Sequence, residues 1–109
     1  MELNHYQMLA EETAIYPKFT DAPIYPALGL AGESGEVADK VKKLLRDYNG
    51  KVSSGARHEL GKELGDVLWY VAMCARDLGY SLDQIAMMNI VKLSDRKRRD
   101  KISGEGDNR

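Results

Sequence analysis

Two pairs of acidic residues, each spaced i, i+3 and each bordered by apolar side chains, limit what this chain can fold into more than any other feature. Glu33 and Glu36 stand in Gly32-Glu33-Ser34-Gly35-Glu36-Val37, and Glu63 and Asp66 stand in Glu63-Leu64-Gly65-Asp66-Val67-Leu68-Trp69-Tyr70. At helical periodicity each pair falls on one face of its helix. Four carboxylates gathered beside apolar surface repel one another. A hard divalent cation between them makes the arrangement tolerable.

The same wheel layout occurs twice. On the second helix Leu30, Val37, Val41 and Leu44 form an apolar arc, with Glu33, Glu36, Lys40 and Lys43 as the strip beside it. On the third, Leu60, Leu64, Val67, Val71, Ala75 and Leu78 form the arc, and Glu63, Asp66 and Tyr70 form the strip. If both arcs face a common core, both acidic strips flank one groove. The short Asn49-Gly50 connection predicts that the two helices are antiparallel neighbours.

The expected architecture is all-α, a four-helix bundle in one domain spanning residues 1–109. The first helix is expected over about residues 2–15, stopping before Pro17, with Pro23 and Pro26 marking the loop after it. The second runs from about Pro26 to Asp47 and the third from about Ser53 or Ser54 to Leu78, with Gly79 at its end. Ser81 and Gln84 form a capping box that opens the fourth, which runs to about Arg98. The tail, residues 103–109, is too polar and glycine-rich for a helix. No strand pattern, repeat or interdomain linker is visible.

A net charge of −1 gives no electrostatic footprint for a nucleic-acid polymer or an anionic membrane. The single cysteine, Cys74, excludes an internal disulfide and a cysteine-rich zinc site and reads as a small core residue. No stretch is apolar enough to span a bilayer, and Met1-Glu2-Leu3-Asn4-His5 lacks the pattern of a signal peptide, so a cytoplasmic protein is expected.

Taken alone, Glu33 and Glu36 read as a solvated helix face, with Glu36 and Lys40 as an i, i+4 ion pair. The second pair shifts the weight, as do the glycines beside it. Gly65 sits between Glu63 and Asp66, and Gly29, Gly32, Gly35 and Gly61 are also helical positions, each costing about 1 kcal/mol against alanine. Such glycines point to close helix approach or to room for a ligand. All-oxygen ligands suit Mg²⁺, with Mn²⁺ as a substitute. A di-iron bundle needs the Glu-x-x-His motif from each of two helices. His58 has Gly55 at the required position, so that reading is set aside, and His5 and His58 are assigned to the surface.

On the fourth helix, Asn89, Lys92 and Arg96 border Leu82, Ile85 and Leu93. The run from Lys92 to Lys101 complements the helix macrodipole. Beside a magnesium site, Lys92 and Arg96 are also placed to clamp phosphate oxygens. Trp69 and Tyr70 read as core or interface aromatics rather than base-stacking platforms.

The ordered set Gly32-Glu33-Ser34-Gly35-Glu36 and Glu63-Leu64-Gly65-Asp66-Val67-Leu68-Trp69-Tyr70 resembles the Glu-x-x-Glu and Glu-x-x-Asp signature of MazG-like nucleotide pyrophosphohydrolases. Asn89-Ile90-Val91-Lys92-Leu93 and Gly104-Glu105-Gly106-Asp107-Asn108-Arg109 are similar to segments of its single-domain members. The resemblance implies Mg²⁺-dependent hydrolysis of (deoxy)nucleoside triphosphates to monophosphate and pyrophosphate. It implies metal binding by Glu33, Glu36, Glu63 and Asp66, and substrate contacts by Asn89, Lys92 and Arg96. The base and sugar stay open.

Leu68, Trp69, Ala72, Met73, Met87 and Met88 lie off the main apolar arcs. That surplus, like the resemblance, predicts a homodimer or homotetramer. The rival from another class is a non-catalytic helical interaction or nucleotide-binding module, which leaves the matched acid pairs unexplained.

Overall fold

A computed structural model describes residues 1–109. Its helices are α1 (Leu3–Glu11), α2 (Ile24–Tyr48), α3 (Ser54–Asp77) and α4 (Leu82–Arg98), with no strand. The two long helices form an antiparallel hairpin. Asn49 takes the left-handed conformation at φ 54°, and Gly50 follows at φ 77°, where a side chain would be strained. The Gly50 N–H donates to the Leu44 carbonyl at 3.0 Å, closing the end of α2. Ser53 then caps α3 by accepting from the Ala56 N–H at 3.1 Å.

Two boundaries differ from the sequence expectation. α1 ends at Glu11 rather than near residue 15. The Thr13 hydroxyl donates to the Ala10 carbonyl at 2.7 Å and accepts from the Trp69 indole N–H at 2.8 Å, so the chain turns towards α3. Pro17 disfavours helical geometry at Tyr16. α2 begins at Ile24, two residues before Pro26, because a first-turn proline lacks only an N–H that has no helical partner anyway.

The segment after α1 is anchored by Tyr16. Its hydroxyl donates to Asp77 Oδ2 at 2.7 Å and accepts from Arg76 Nη2 at 2.8 Å. Its ring stacks on Tyr25, with centroids 4.8 Å apart, and meets the edge of Trp69. Burial, followed by the hydrogen bond to Asp77, pushes the Tyr16 hydroxyl up to about 12.

The junction of α3 and α4 is built around the buried Gln7. Its amide N–H₂ donates to the carbonyls of Ala72 at 3.2 Å and Tyr80 at 3.1 Å, and its oxygen accepts from the Leu82 N–H at 3.0 Å. Asn4 accepts from the Asp83 N–H at 2.9 Å, and Ser81 accepts from the Gln84 N–H at 3.1 Å. The first three N–H groups of α4, which have no partner inside the helix, are therefore all satisfied. The capping box of Ser81 and Gln84 is present in full.

The core consists of Ala10, Ala72, Met73, Ala75 and Leu82. Ala72 and Met73 are fully buried, which corrects their assignment to a surplus face. α3 packs against α2 and also against α1 and α4, and Val71 and Ala75 of its apolar arc join the core with Ala10 and Leu82. Of the other helices α2 packs on α3 alone, so the four helices do not close into one bundle within a single chain. The radius of gyration is 16.7 Å, against about 13 Å for a compact chain of this size. Leu28, Val41, Leu45, Leu64 and Leu68 on the hairpin stay exposed, as do Met87, Met88, Ile90 and Val91 on α4.

Candidate functional site

The register of the hairpin places the acids. Going forward along α2 through Gly29, Glu33 and Lys40, the facing residues on α3 run backwards through Tyr70, Asp66 and Glu59. Glu33 therefore faces the Glu63–Asp66 turn. One carboxylate oxygen from each of Glu33, Glu63 and Asp66 lies within 4.8 Å of the others. Two of the three residues are part-buried, and Asp66 is exposed. Glu36, one turn along α2, is exposed and lies outside this cluster.

The electrostatics of the cluster are those of an acid site only partly compensated by one lysine. Desolvation, then the charges of Asp66, Glu63 and Glu36, hold the Glu33 carboxyl above the usual glutamate range. The nearest cation is Lys40, whose Nζ is 3.2 Å from Glu63 Oε1 and 3.9 Å from Glu59 Oε2. Lys40 thus bridges the two helices rather than pairing with Glu36 along its own helix. Lys43 pairs with Asp39 at 2.8 Å instead of bordering the acids.

Beside the acids lies an open cleft of about 380 Å³ lined by Thr13, Glu33, Asp66, Trp69 and Tyr70. Trp69 meets the edge of Tyr70 with centroids 5.0 Å apart. Burial, the Tyr25 phenol and the Glu33 and Asp66 carboxylates push the Tyr70 hydroxyl upward. Tyr6 is shifted the same way by burial and by Asp66. Trp69 and Tyr70 thus pack as structural aromatics and also wall the acidic cleft.

Close helix approach explains one glycine. A Cβ on Gly29 would fall 2.1 Å from Tyr70 Cε1, so only glycine lets the ring lie where it does. At Gly32, Gly35, Gly61 and Gly65 an added Cβ meets nothing within 4 Å.

The residues assigned to α4 are arranged differently from the acids. Asn89 is exposed. Lys92 and Arg96 bind Asp107 of the chain's own tail. None of the three lines the acidic cleft. Thr13 and Lys40 are the site residues that the acid pattern alone misses. Lys40 was visible on the acidic strip, whereas Thr13 reaches the cleft only through the turn after α1. Cys74, raised by burial, is a packing residue, and His5 and His58 are exposed. No helix is long and apolar enough to cross a membrane.

Three oxygen donors from two rigid helices, carrying excess negative charge, fit a hard divalent cation rather than zinc or copper. Residues 25–99 match the model of the MazG nucleotide pyrophosphohydrolase domain. Over its whole length the chain is similar to the Gene 37 protein of Mycobacterium phage L5, at 46% identity and covering all of that protein. No solved structure matches it.

Proposed function

We propose that this chain, which belongs to the MazG nucleotide pyrophosphohydrolase family, hydrolyses (deoxy)nucleoside triphosphates to the monophosphate and pyrophosphate in a reaction that depends on Mg²⁺ or Mn²⁺. The observation that carries this reading is the convergence of Glu33, Glu63 and Asp66 from two antiparallel helices on one point beside an open cleft.

In this reading Glu33, Glu63 and Asp66 hold the cation. Glu36, at the level of Glu63 in the hairpin register, joins them by a side-chain rotation. When bound, the cation offsets the charge of the triphosphate and activates water. The carboxylates orient a water towards the α-phosphorus, and its oxygen bonds that phosphorus as its proton is released to solvent. The bond from the α-phosphorus to the bridging oxygen breaks, and pyrophosphate leaves with that oxygen. Lys92 and Arg96 take phosphate oxygens, and Asn89 contacts the nucleotide. Thr13, Trp69 and Tyr70 wall the cleft where the rest of the nucleotide lies.

The active form is a homodimer or homotetramer. The open packing of α2 on α3 alone and the exposed apolar residues of α2, α3 and α4 support this reading. An obligate interface of this type buries more than about 2,000 Å² in total. Light scattering should give a multiple of 12.2 kDa; full activity at the monomer mass would contradict it.

The activity is tested by pyrophosphate release from ribo- and deoxynucleoside triphosphates, supplied one at a time, with Mg²⁺ and with chelator. Metal-dependent release from at least one nucleotide is expected. No release from any of them would favour the non-catalytic module.

A further inference from the structure

The basic pair on α4 is already occupied. Lys92 Nζ donates to Asp107 Oδ1 at 2.7 Å. Arg96 Nη2 lies 3.4 Å from the same oxygen and also donates to the Asp107 main-chain carbonyl. The Arg96 side chain is 8% exposed, whereas that of Asp107 is 76% exposed. A buried guanidinium needs an acceptor, and the tail supplies it.

The tail reaches this position through a built turn. The Lys101 N–H donates to the Arg96 carbonyl at 2.7 Å. Gly104 and Gly106 adopt φ of 115° and 85°, and an added Cβ at Gly104 would press on Arg109. The Arg109 guanidinium donates to the carbonyls of Lys101, Ile102 and Gly106 at 3.2, 2.8 and 2.7 Å. The loop is thereby drawn closed and Asp107 is presented to α4.

One carboxylate oxygen between an ammonium and a guanidinium has the same donors around it as a phosphoryl oxygen would have. The Lys92 hydrogen bond and charge, with Arg96, hold the Asp107 carboxyl below its usual range. Because Asp107 is largely in solvent, its hold is weak against a ligand that brings several negative charges.

We propose that Asp107 is a built-in competitor: it fills the anion site made by Lys92 and Arg96, and a polyphosphate displaces it and frees the tail. This rests on the assignment of Lys92 and Arg96 as phosphate contacts. It adds that the site is latched in the free protein and that substrate binding opens the latch.

The probe is inorganic tripolyphosphate, titrated in chelator so that the metal site plays no part. Asp107→Asn keeps shape and removes the charge. With an exposed ion pair of ordinary strength to displace, this variant should bind tripolyphosphate about two- to sixfold more tightly than the unaltered chain. Adding Lys92→Ala should cancel the gain. In the unaltered chain, the amide signals of Gly104 and Gly106 should shift as tripolyphosphate is added. Equal or weaker binding by Asp107→Asn would overturn the proposal, weaker binding showing that Asp107 builds the site. Glycine signals that stay put, or no binding by either protein, would overturn it as well. None of these results bears on metal-dependent pyrophosphate release, whose failure would count against the carboxylate reading instead.

Discussion

Lys40 Nζ lies 3.2 Å from Glu63 Oε1, so the acidic cluster holds a cation of its own, delivered from the opposite helix. A divalent ion binding through Glu63 must compete with that ammonium. The Lys40 side chain is about one-third exposed, so solvent screens much of the attraction. Lys40→Met should therefore raise Mn²⁺ affinity by up to about fivefold in a calorimetric titration. Weaker binding would mean that Lys40 holds Glu63 in position instead.

Gly29 and Gly32 make opposite predictions although they are three residues apart. Gly29→Ala drives a methyl into the Tyr70 ring, which must leave its place on the wall of the acidic cleft. Turnover per unit KM should fall by about tenfold or more, as expected for misplaced site geometry. Gly32→Ala meets nothing within this chain and should stabilise α2 by up to about 1 kcal/mol. If Gly32→Ala instead lowers stability or breaks the assembly, a second copy of the chain fills that space.

Gln7→Ala removes both the donor to two carbonyls and the acceptor for the Leu82 N–H. Leaving buried backbone groups unpaired costs about 1–3 kcal/mol. Urea unfolding at fixed protein concentration should show a loss of that size. Leu3→Ala, which removes an exposed side chain from the same helix, should change little.

The pH dependence without metal follows from Glu33. Its carboxyl is held above the usual glutamate range, so the folded chain binds that proton more tightly than the unfolded chain does. Its favourable contribution is present at acid pH and is lost as pH rises through the raised value. Above that point the carboxylates repel, and a divalent ion offsets the repulsion. The rise in Tm on adding Mg²⁺ should be largest near neutral pH and shrink on acidification. A rise that is constant with pH would separate the ion from these carboxylates.

The four helices and the pairing of α2 with α3 were legible because wheel periodicity and the Asn49-Gly50 turn depend only on local spacing. The facing of Glu33 with Glu63 and Asp66 was legible for the same reason. The core was not. Ala72 and Met73 lie off the main apolar arc, and their burial depends on where α1 docks, which Gln7 and Asn4 set through long-range hydrogen bonds. The end of α1 was missed because Thr13 and Tyr16 are recruited by Trp69 and Asp77, far along the chain. The closed tail depends on the carbonyls gathered by Arg109 and on Asp107 meeting Lys92, and neither has a periodic signature.

The most direct test of the account is steady-state pyrophosphate release in Mg²⁺ by Glu63→Gln and Glu33→Gln, each beside the unaltered chain. The substitutions keep shape and remove one charge from the cluster. Turnover should drop by two orders of magnitude or more, as for loss of about 3 kcal/mol of transition-state stabilisation, while helicity by circular dichroism stays unchanged. Near-normal turnover by either variant would contradict the claim that these carboxylates, brought together by the α2–α3 hairpin, carry the chemistry.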